Sequence, residues 1–104
     1  MSLPPRAPRR LLLLSGPVAG LARSAVARPG VGTAARPTLR VRFDAEVAVT
    51  LERWSAAGRS STTYAGATID HLLPRFAPGE RCRVTVSGGS AAAPVAGFAE
   101  LVAP

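Results

Sequence analysis

Lysine, asparagine and glutamine are missing from this 104-residue chain, and isoleucine occurs once, at Ile69. Most of these residue types have AT-rich codons, so their scarcity points to a GC-rich gene. The same bias makes all 13 basic residues arginine. It supplies arginine whatever the ligand, so the net charge of +7 does not by itself require a polyanion partner. A single cysteine, Cys82, excludes an intrachain disulfide. A single histidine, His71, with six scattered carboxylates leaves no recognisable metal-ligand spacing. The aromatics are only Phe43, Trp54, Tyr64, Phe76 and Phe98, too few for a stacking platform on single-stranded nucleic acid. No apolar run approaches the roughly 20 residues of a membrane-spanning helix. What is present in quantity is alanine, glycine, proline, arginine and valine, and 47% of the residues are hydrophobic, too many for a wholly disordered chain.

Acid is also missing from the first 43 residues, which carry eight arginines. Within them, "MSLPPRAPRRLLLLSGPVAGLARSAVA" has a basic start, a short apolar run at 11–22 and an A-x-A pattern at Ala25 and Ala27. That layout predicts a secretory signal peptide over residues 1–27, a Gly/Pro/Ala-rich linker over 28–37 and a folded domain over 38–104. "RRLLL" resembles the core of a twin-arginine export signal. The competing address is mitochondrial, because the leader is Arg-rich and acid-free. Cleavage after Ala27 would leave nine arginines against six acids, a net charge of +3.

Beyond residue 37 the hydrophobic period is two, the signature of half-buried strands. "TLRVRF" sets Leu39, Val41 and Phe43 against Arg40 and Arg42. "EVAVTLERW" sets Val47, Val49 and Leu51 against Ala48, Thr50 and Glu52. "SAAGR" is a hairpin connection, "SSTTY" the return strand, and Ala65-Gly66 a break. "ATIDHLL" reads as strand or as a turn of helix. "RCRVTV" is the clearest strand, with Cys82, Val84 and Val86 on its apolar side and Arg81, Arg83 and Thr85 opposite. "SGGSAAAPVAG" is a low-complexity loop, and "FAELV" a closing strand. The predicted core is Leu39, Val41, Phe43, Val47, Val49, Leu51, Cys82, Val84 and Val86. Short strands with frequent turn signals argue for an all-β fold, a small antiparallel β-sandwich or barrel.

"LLPRFAPGERCRVTVSG" resembles the segment of fibronectin type III and related immunoglobulin-like modules in which a leucine precedes a Pro-Gly turn and a strand of alternating apolar residues. Pro78-Gly79 fits the turn, Val84 and Val86 fit the strand, and Cys82 stands where the family has an aromatic. Carboxypeptidase-regulatory-like modules resemble the chain through the same "APG"-then-strand ending. The resemblance implies an immunoglobulin-like sandwich and names no ligand.

No motif for catalysis emerges. Asp70 and His71 are adjacent, but neighbours on a strand point to opposite faces and do not form a dyad. "SGGS" and "GVG" lack the Lys-Ser/Thr and strand-to-helix context of a phosphate loop. No cofactor is expected. Arg40, Arg42, Arg81 and Arg83 are the candidate anion-binding residues: if their strands are neighbours, four guanidinium groups share one surface, unless Glu46, Glu52 and Glu80 interleave and neutralise it. The sequence therefore predicts a non-catalytic, secreted or extracytoplasmic binding or structural module, with an unknown protein or cell-surface partner and no membrane span. The first alternative is a basic polyanion- or nucleic-acid-binding protein, mitochondrial in one version. The second is a reading frame recently arisen in GC-rich DNA, with no defined function.

Overall fold

The computed structural model describes residues 10–28, 37–76 and 79–102. Six strands and no helix occur among them: β1 (Arg10–Ser15), β2 (Arg23–Ala27), β3 (Thr38–Ser55), β4 (Gly58–Leu72), β5 (Arg81–Ser87) and β6 (Gly97–Val102). Every pairing is antiparallel. The fold is all-β, as the period-two pattern predicts.

β3 organises the rest. Its two alternating segments, separated by Asp44-Ala45-Glu46, form one strand of 18 residues. No glycine or proline lies between them to turn the chain. β4 lines one edge of β3 along nearly its whole length, with a register shift between Arg42 and Val47. The other edge is shared: β6 pairs with Thr38–Phe43 and β5 with Ala48–Trp54. β1 then adds to β6, and β2 to β5. Two half-sheets result, β4-β3-β6-β1 and β4-β3-β5-β2, continuous through the irregular point of the hairpin.

At that junction the Asp44 backbone N–H donates to the Ala96 carbonyl at 2.9 Å, and the Asp44 carboxylate accepts from the Ala96 N–H at 3.1 Å. Gly97 lies opposite Phe43, and a Cβ there would run into the Arg42 carbonyl oxygen and the Phe43 backbone. Only glycine permits so close an approach.

Leu39, Val41, Val49, Val84 and Val86 are all fully buried on the same face of this sheet. A sheet face is shielded in that way only when something covers it, and among the described residues no element lies outside the sheet. The inner residues of both half-sheets form one hydrophobic cluster, joined by Val18, Leu73, Phe76 and Val95 from the described loops. An antiparallel all-strand sheet with one shared core is compatible with a small β-sandwich. All nine predicted core residues are buried. Leu14, Val18, Ala27, Leu73, Phe76, Val95, Ala99 and Leu101 join them from segments whose period is weak or short.

On the N-terminal side of the expected boundary at residue 27 the described residues include two strands, β1 and β2. The sheet includes part of the segment read as a leader: β1 and β2 are its outer strands beside β6 and β5. Leu14 pairs with Ala99 and Ala27 with Cys82, and both Leu14 and Ala27 are buried. Between these strands, Val18 and Val95 exchange backbone hydrogen bonds of 2.8 and 2.9 Å, with Val18 fully buried. The leucine block hid a strand because its register shifts between Leu12 and Leu14, so no clean alternation is visible. Of the expected linker, residues 29–36 lie outside the described residues, as do residues 1–9 of the expected leader. Two local expectations also change. β4 passes through Ala65-Gly66 without breaking, and residues 67–72 are strand. Gly66, at φ +154°, sits beside the register shift and lets the strand bend there.

Candidate functional site

The inner positions of β3 are the odd-numbered ones up to Leu51, so its even-numbered residues face outward. In the half-sheet β4-β3-β5-β2 this outer surface can be read row by row from the register. One row is Thr63-Thr50-Thr85-Ser24, the next Ser61-Glu52-Arg83-Val26, and the last Arg59-Trp54-Arg81. Arginine thus flanks Trp54 from both neighbouring strands.

Electrostatics within these rows are specific. Glu52 faces outward yet is only 7% exposed, because guanidinium groups close over it. Arg83 donates to Glu52 Oε1 through Nε at 3.0 Å and Nη2 at 2.8 Å. Arg59 Nη2 lies 3.1 Å from Glu52 Oε2. The Arg83 guanidinium also lies over the Trp54 ring, 5.2 Å from its centroid, a cation–π arrangement. Arg81 is exposed at the end of the row. On the inner side, Arg53 closes the end of the core: its guanidinium sits 4.3 Å above the Phe76 ring and its Nε donates to Glu80 Oε1 at 2.8 Å. Two open clefts flank the β3–β4 turn. One of about 260 Å³ lies between Trp54 and Arg81, and one of about 220 Å³ is lined by Arg53, Arg59, Ser60 and Glu80.

The four arginines expected to share a surface fall into two pairs. Arg40 and Arg42 lie on the part of β3 that pairs with β6, whereas β5, with Arg81 and Arg83, pairs only with Ala48–Trp54. Asp70 of β4 engages both members of the first pair, with Arg40 Nε at 3.3 Å and Arg42 Nη2 at 2.9 Å. The Arg42 hydrogen bond foremost, then the charges of both arginines, hold the Asp70 carboxyl below the usual carboxylate range. Of the carboxylates expected to interleave, Glu52 and Glu80 do, against Arg83, Arg59 and Arg53. Arg59 had no signal in the sequence beyond its place after a turn. Only the hairpin register puts it beside Trp54.

Asp70 and His71 point to opposite faces, and the His71 ring packs against Tyr64 with centroids 4.7 Å apart. Burial raises the Tyr64 hydroxyl above its ordinary pKa. Among the described residues, no group of three or more His, Cys, Asp or Glu side chains is placed to hold a metal, and no helix is long and apolar enough to cross a membrane.

Cys82 is fully buried between Ala27 and Arg53, and loss of hydration pushes its thiol up to about 11. The thiol is therefore a small apolar filler, protected from disulfide exchange. Between about pH 9 and 11 the unfolded chain releases this proton while the folded chain retains it. Rising pH then favours unfolding, and the effect levels off above the folded pKa. The denaturant midpoint is expected to fall across that window, and Cys82→Ala to remove this part of the fall. An identical pH profile in Cys82→Ala would contradict the assignment.

Comparison with protein-family models, with curated proteins and with solved structures found no match to this chain.

Proposed function

We propose that the chain is a non-catalytic binding or structural module of the immunoglobulin-like β-sandwich type, acting outside the cytoplasm. Its contact surface is the outer face around Trp54, which takes an anionic ligand. The observation that carries this reading is the Arg59-Trp54-Arg81 row, with Arg81 exposed beside an open cleft. An aromatic ring flanked by guanidinium groups offers apolar contact and charge in one place. The immunoglobulin-like part of the reading is supported by the Pro78-Gly79 sequence before β5, of which Pro78 lies outside the described residues, and by the buried Cys82-Val84-Val86 face of an antiparallel sheet. Export is supported by the order of arginines and leucines over residues 6–14.

Trp54 is the only tryptophan, so its emission reports on this face. The expected result is that a heparin-type glycan shifts the Trp54 emission of the full chain and binds with salt-dependent affinity. Arg81→Ser should flatten the slope of log affinity against log salt by roughly one unit, because one charge contact is lost. An unchanged slope, or binding that leaves Trp54 emission unmoved, would remove this face as the contact surface.

A further inference from the structure

The sheet has three outer strands, and one of them is unlike the others. β1 spans only six residues, begins with Arg10 and is irregular between Leu12 and Leu14; β2 spans five. Short, charged or irregular edges resist pairing with another chain. β4 spans 15 residues and, among the described residues, pairs with β3 alone. From Ser60 to Ile69 it carries no charge and no proline, and Ser60–Thr63 and Ala65 are exposed. In an antiparallel ladder closed by the Ser55–Gly58 pair, alternate residues bond to β3. The N–H and C=O groups of Arg59, Ser61, Thr63 and Ala65 then point away from the sheet.

We propose that this edge pairs with the same edge of a second copy of the chain, antiparallel, about a two-fold axis at Thr62. A two-fold axis normal to the sheet requires one residue to face itself. Thr62 is the midpoint of Gly58–Gly66, the straight part of β4 before the register shift, so this choice uses that whole segment. The register sets Arg59 opposite Ala65, Ser60 opposite Tyr64 and Thr62 opposite Thr62. No like charges meet, and the hydroxyl pair is a favourable cross-strand combination. Self-complementarity is the reason for a second copy as occupant: reversed on itself, the segment brings no like charges together and sets each large side chain, Arg59 and Tyr64, opposite a small one. The pairing uses the backbone of Arg59, whereas the Trp54 row uses its side chain, and the inference does not rest on the proposed ligand.

The copies each carry +7, so added salt should tighten this association by screening their repulsion. Polyanion binding responds to salt in the opposite direction, which separates the two readings. The test is sedimentation of the full chain over a concentration series at low and high salt, with two kinds of variant. Thr62→Cys should give a covalent dimer under oxidised glutathione, because its Cβ faces its own copy about 4.5–5.5 Å away. Thr63→Cys, facing Ser61 of the second copy, should give far less. Thr63→Pro removes an outward N–H and leaves the β3 ladder intact, so the chain should stay folded and become monomeric. A wild-type chain that is monomeric throughout the series, or equal cross-linking at positions 62 and 63, would overturn the proposal. Should Thr63→Pro not fold, the cross-linking comparison decides alone.

Discussion

Val84→Asp is expected to abolish cooperative folding. Val84 is fully buried on β5, opposite Leu51 of β3 and Ala25 of β2, in the centre of its half-sheet. An aspartate there must either ionise without a partner or stay protonated among apolar side chains, and either course costs several kcal/mol. The valine contacts are lost as well, at roughly 1.5–3 kcal/mol for a buried side chain of this size. A domain of this length has a total stability of about 5–15 kcal/mol, and the substitution removes most of the lower end of that range. Chemical denaturation followed by Trp54 emission checks it: wild type should give a cooperative transition and Val84→Asp none. Thr85→Asp is the control. Its position faces outward beside Thr50 and Ser24, and its midpoint should stay close to wild type. A Val84→Asp chain with the wild-type midpoint would refute the packing of β5.

A chain beginning at Arg28 should fail to fold. Cleavage after Ala27 would discard β1 and β2 together, stripping the outer strands from beside β6 and β5. Leu14 and Val18 would leave the core, an apolar loss of roughly 3–6 kcal/mol for the pair. The edges of β5 and β6 would lose their ladder partners, leaving Cys82, Val84, Ala99 and Leu101 beside open water. Near-ultraviolet circular dichroism and thermal melting of residues 28–104 against the full chain provide the check. The expected result is a flat melt for the shorter chain and a cooperative one for the longer. Equal transitions would mean that β1 and β2 contribute nothing to stability, and would support residue 27 as a boundary. The contrast with Val84→Asp is informative, because one removes the centre of a half-sheet and the other its margins.

What could be read locally was the side on which each residue of a regular strand falls. Alternation is set by the backbone itself, so Leu39 to Leu51 on β3 and Cys82 to Val86 on β5 reveal their inner face without knowledge of any neighbour. The turn at Ala56-Ala57 and the strand at Gly97–Val102 were legible for similar reasons, each resting on a few adjacent residues. Glu52 illustrates the limit. Its outward side was evident, but its near-complete burial depends on Arg59 and Arg83 arriving from two other strands.

The sequence by itself determined the all-β class, the nine-residue centre of the core and the opposed faces of Asp70 and His71. Tertiary structure alone decided three other things: that residues 10–27 belong to the sheet, that the arginines divide between Asp70 and the Trp54 row, and that β4 is left with an open edge. The physical reason is range. A strand's two faces follow from the geometry of consecutive peptide units, whereas its partners, register and open edge depend on residues dozens of positions away, brought close only by burial of the common core.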